Sequence, residues 1–63
     1  MKYELSFLTE SGTGKKIAVN PLLVRLIIEI DEEKVAIVFD HGHQIRVDGT
    51  VATIAEQLRK SMW

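Results

Sequence analysis

Sixty-three residues, 46% of them apolar and with a formal charge of −1, make at most one small domain, which buries only about 60% of the surface its unfolded chain exposes. The absence of cysteine excludes disulfides and thiolate metal sites, and eight basic residues against nine acidic ones leave no strongly basic footprint for nucleic acid. No apolar run approaches the roughly 18 residues that cross a bilayer, and Met1-Lys2-Tyr3-Glu4 does not read as a signal peptide. The expectation is a cytoplasmic protein without membrane insertion.

Of the 29 apolar residues, 13 are Val or Ile, a composition unlike that of a disordered chain or a coiled coil. A domain of this size without staples has a core worth only about 3–5 kcal/mol. So many large aliphatics either pack unusually well or face a second molecule.

In chain order, Lys2 to Leu8 alternates with Tyr3, Leu5 and Phe7 on one face, the period of a half-buried strand. Thr9 to Gly14 is a loop with two glycines suited to positive φ. Lys15 to Val19 alternates again with Ile17 and Val19 inward, closing a hairpin. Asn20-Pro21 predicts a helical turn over Pro21 to Leu23, with Asn20 as its cap. Val24 to Asp31 is rich in β-branched residues and reads as a strand, Val24, Leu26, Ile28 and Ile30 on one face and Arg25, Ile27, Glu29 and Asp31 on the other. After the charged turn Asp31-Glu32-Glu33-Lys34, Val35 to Phe39 turns Val35, Ile37 and Phe39 inward. Asp40 to His43 is a turn with Gly42 as its positive-φ residue. Gln44 to Val47 returns with Ile45 and Val47 inward. Thr50 caps a final helix, with Asp48 near its positive end. Val51, Ile54, Ala55, Leu58 and Met62 form its apolar stripe.

The order β-β-β-β-β-α predicts one α+β domain over residues 1–63: a small antiparallel sheet of four to five strands, hairpin plus meander, with a C-terminal amphipathic helix on one face. One helix stripe covers one face. Leu23, Ile27, Ala36 and Val38 fall on the other, a patch a lone domain rarely leaves bare. Trp63 joins them as an interface candidate, since tryptophan is favoured at hot spots.

No reaction chemistry emerges. Ser11-Gly12-Thr13-Gly14-Lys15-Lys16 is the shape of a phosphate loop's end, but Thr9 stands where the first glycine belongs and Lys16 where the hydroxyl belongs. A hairpin loop is the simpler reading. Asp40, His41 and His43 share a turn, yet zinc takes four ligands and the chain supplies no cysteine and no third histidine. Ser6, Ser11 and Ser61 lack a partnering His-acid pattern. Neither catalytic residues nor a cofactor are expected. Lys15, Lys16 and Arg46, with His41 and His43, are the polar residues left as binding candidates.

The chain resembles the small flagellar FlbD (SwrD) family. The likeness lies in Leu5-Ser6-Phe7-Leu8, Gly14-Lys15-Lys16-Ile17-Ala18-Val19-Asn20, Leu22-Leu23-Val24, Val35-Ala36-Ile37-Val38, Gly42-His43-Gln44-Ile45-Arg46-Val47 and Thr50-Val51. It departs in a longer first loop, in Pro21 and in Asp31 to Lys34, where that family has a Thr-Pro-Asp turn. The layout is also similar to the carbon storage regulators (CsrA-like), intertwined dimers that bind RNA. Where those carry RNA-contacting arginines, this chain has Glu10, Ser11 and Gly49. The first resemblance implies an accessory role at the cytoplasmic side of the flagellar motor. The expectation is a non-enzymatic protein-interaction module of bacterial or phage type, a homo-oligomer and most simply a dimer, with a protein partner. A dimeric nucleic-acid-binding regulator, or a phage-type inhibitor or adaptor capping a partner, are the alternatives.

Overall fold

The computed structural model describes residues 4–62, and the expectations for Tyr3 and Trp63 lie outside them. Among the described residues five strands and one α-helix follow in order: β1 (Ser6–Thr9), β2 (Lys16–Val19), β3 (Leu26–Asp31), β4 (Lys34–Val38), β5 (Gln44–Asp48) and α1 (Val51–Lys60). The layout is α+β, as the alternation predicts. The strands divide into two antiparallel sheets, β1–β2 and β3–β4–β5, rather than one curved sheet. Asn20-Pro21 makes the division. Pro21 opens one turn of 3-10 helix and Asn20 Oδ1 accepts from the Leu22 amide at 2.9 Å, so the chain leaves the first hairpin at a corner. A single antiparallel bridge, Glu10 to Val47, rejoins the hairpin to β5.

Between the sheets lies a core of Leu8, Val19, Val35, Ile37, Val47, Ile54 and Leu58. Thr50 and Thr53 form a reciprocal capping box at the start of α1, satisfying amides that the first helical turn cannot. Ile54 and Leu58, one turn apart on α1, are its buried residues. Val51 and Ala55 are exposed, so the stripe that meets the core is narrower than the sequence spacing suggests. The far end of α1 is tied to β1 by polar contacts. The Glu4 amide donates to Ser61 O at 2.6 Å, buried Ser6 Oγ to Ser61 Oγ at 2.6 Å, and Gln57 Nε2 to Phe7 O at 2.7 Å.

Two strands show the opposite face to the one their alternation predicts. In β1, Ser6 and Leu8 point inward while Phe7, at 67%, and Leu5 just before the strand are exposed. The cause is the hairpin register, which sets Leu8 opposite Ile17 and Ser6 opposite Val19. Directly opposed residues share a face, and the inward-facing Ile17 and Val19 carry Leu8 and Ser6 with them. In β3, Leu26, Ile28 and Ile30 are exposed and Ile27 packs against the core. Here the cause is a bulge. Asp31 pairs with Lys34, but the register shifts between Asp31 and Glu29, so that Ile27 faces Ile37 and Ile28 faces Ala36. A regular hairpin counted back from the Asp31–Lys34 pair would set Ile28 opposite Ile37. One extra residue in one strand exchanges the two faces of everything beyond it.

Candidate interaction surface

The two faces of the β3–β4–β5 sheet can be read from its register. The core side carries Ile27, Ile37 and Ile45 in one row, then Val35 and Val47 in the next. The outer side carries Leu26, Val38 and Gln44, then Ile28, Ala36 and Arg46. Leu26 is 48% exposed and Ile28 50%. Val38 is half-buried. The outer side is thus apolar along β3 and β4 and polar along β5. Charges close one end of it, where Lys34 lies 3.9 Å from Asp31 and opposite Asp48.

Of the interface candidates read from the sequence, Val38 lies on this outer side. Ala36 does too, but at 5% exposure it is flanked by Ile28 and Arg46 and offers little contact area. Ile27 does not belong there: the bulge turns it to the core, and Leu26 and Ile28 stand in its place. The register, and with it these two residues, was the part that sequence alternation missed. Alternation points the other way, because Ile27 shares its face with Arg25, Glu29 and Asp31, and no local pattern marks the bulge that reverses it.

Leu23 is 58% exposed at the corner after β2. With Phe39, Asp40 and His43 it lines an open depression of about 280 Å³. Phe39 and His43 form its wall, their ring centroids 5.3 Å apart. A second depression of about 280 Å³ on the other side of that wall reaches Ile17, Val19 and Ile45. Arg25 Nη1 pairs with Asp40 Oδ1 at 3.3 Å across exposed surface, a contact worth at most about 1 kcal/mol.

The polar candidates are not gathered into one site. His41 is exposed and holds a left-handed φ of 61° beside Gly42, at φ 72°. His43 is engaged with Phe39, and Asp40 with Arg25. Among the described residues no three His, Asp or Glu side chains come close enough to hold a metal ion. The glycine-lysine loop closes on itself. Thr13 Oγ1 donates to Glu10 Oε1 at 2.7 Å and accepts from the Lys15 amide at 3.2 Å, while the Gly14 amide donates to Glu10 O at 3.0 Å. Those groups are thereby spent within the hairpin instead of forming a phosphate cradle. Lys15 and Lys16 stay exposed. The Arg46 side chain belongs to the outer sheet face, while its carbonyl accepts from the Ser11 amide at 2.9 Å along the β5 edge.

On α1, Arg59 hydrogen-bonds Glu56, and this bond holds the Glu56 carboxyl below its ordinary range. The pair is exposed to solvent and belongs to the helix surface. Among the described residues no helix is long and apolar enough to cross a membrane. Compared with known proteins, the chain matches no family model, no curated protein and no solved structure.

Proposed function

We propose that this chain is a non-enzymatic protein-interaction module that works as a homo-oligomer, most simply a dimer, through the exposed β3 side of its three-stranded sheet. The observation that carries this reading is the pair Leu26 and Ile28, each about half exposed beside Val38, in a chain whose core is closed by the opposite side of the same strands. Apolar centre and polar rim are the anatomy of a protein interface, and here Gln44, Arg46, Lys34 and Asp48 supply the rim. The resemblance to the flagellar FlbD family supports an accessory role at the cytoplasmic side of the motor.

Sedimentation equilibrium at micromolar concentration tests the reading. The wild type is expected to be dimeric and Ile28→Glu monomeric, with the circular dichroism of the two alike because residue 28 lies outside the core. A monomeric wild type would sink the proposal. So would a gel shift with RNA or DNA at low salt that fades steeply as salt rises, since that is the signature of phosphate neutralisation rather than of an apolar contact.

A further inference from the structure

We propose that two copies of this chain join β3 to β3 antiparallel about a two-fold axis at Ile27, merging two three-stranded sheets into one continuous sheet. This rests on the self-association argued above and specifies its geometry.

The free edges select β3. An unpaired strand edge is a template for another strand. The outer edge of β5 is engaged by β1, through the Glu10–Val47 bridge and the bond from the Ser11 amide to Arg46 O. β2 has only four residues, begins at Lys16 and is followed at once by Asn20-Pro21, and lysine and proline both discourage edge pairing. Among the described residues β3 pairs only with β4 and presents an unbroken Leu26-Ile27-Ile28 run to its other side. Arg25 and Glu29 lie in the same alternation as Ile27 yet are exposed, so the core covers neither of these two side chains, although α1 lies close to the strand.

The register follows from the side chains. With the axis at Ile27, each Leu26 stands opposite Ile28 of the second copy, and each Arg25 opposite its Glu29. Both apolar residues gain an apolar neighbour and both charges an opposite one, twice over, which is what cross-strand pairs reward. An axis at Ile28 would instead set Ile27 against Glu29. It would also need a regular pleat through Ile30, where the bulge interrupts the strand. A two-fold contact has to be complementary to itself, and the segment from Arg25 to Glu29 meets that condition.

Two measurements test this. The chain has no cysteine, so introduced thiols are unique. In an equimolar mixture of Leu26→Cys and Ile28→Cys, oxidation is expected to give mainly the mixed 26–28 disulfide. Predominance of the 28–28 product, or no crosslink in a chain that sediments as a dimer, overturns the β3 geometry and leaves the self-association standing. A monomer removes both.

The second measurement swaps the charges. Arg25→Glu and Glu29→Arg are each expected to self-associate about tenfold more weakly, from two like-charge contacts per dimer. Their equimolar mixture should recover wild-type affinity, because every Glu then faces an Arg. Failure of the mixture to recover overturns the register.

Discussion

Gly49 joins β5 to α1 with a φ of +135°, a conformation that residues with a Cβ rarely hold. A Cβ added there would lie 2.9 Å from Ile54 Cδ1, so the residue lets the helix start directly against the core. Its amide donates to Glu33 O at 2.7 Å, pinning the start of α1 to the β3–β4 turn. Gly49→Ala is therefore expected to cost about 1–3 kcal/mol through backbone strain and displacement of Ile54. Urea unfolding monitored by circular dichroism reads this as a lower midpoint; an unchanged midpoint would mean the strain is not there. Thr50 and Asn20 do comparable local work at the two corners of the chain. Both caps were legible from residue type and neighbours, because capping is a contact among residues adjacent in sequence.

At the scale of the strand, the register decides which side chains are inside. Leu8 is buried and Phe7 exposed, although Phe7 is the larger apolar residue and shares its alternation with Leu5. Leu8→Ala is expected to cost about 2–5 kcal/mol, the range for a buried leucine, and Phe7→Ala less than about 0.5 kcal/mol, as for an exposed position. Paired urea titrations check this, and the reverse order would restore the face that alternation predicts. The same scale explains the polar tie between β1 and α1. Ser6 points into the interior, and its hydroxyl meets Ser61 at 2.6 Å, so burying it leaves no unmade bond. A serine between two apolar neighbours reads as outward-facing from sequence. Its partner lies fifty-five positions away, beyond the reach of any local pattern.

For the whole molecule, the apolar complement divides unequally. Among the described residues a small buried core, with a few half-buried residues packed against it, must hold two sheets and a helix together, while Leu5, Phe7, Leu22, Leu23, Leu26, Ile28 and Ile30 remain substantially exposed. A core this small provides only about 3–5 kcal/mol, and association through the exposed β3 side would add to it by mass action. The melting temperature of the wild type should accordingly rise with protein concentration, and that of Ile28→Glu should not. A calorimetric series over a hundredfold range of concentration measures this, and a flat wild-type series would mean that the monomer alone carries the stability.

The sequence by itself determined the element order, the turn positions, both caps and the inward faces of β2, β4 and β5. Each of these depends on residues close together in the chain or on a strand with one clearly apolar face. Only the tertiary structure decided the faces of β1 and β3 and the separation into two sheets. In β3 alternation opposes Leu26, Ile28 and Ile30 to a face that Ile27 shares with Glu29 and Asp31, and the bulged residue between Glu29 and Asp31 reverses that choice, turning Ile27 to the core while Glu29 stays exposed. The candidate surface follows from that reversal, because the more apolar face of the strand, with Leu26, Ile28 and Ile30, is the one left exposed, and a register shift between two strands is a tertiary event that no single strand's pattern encodes.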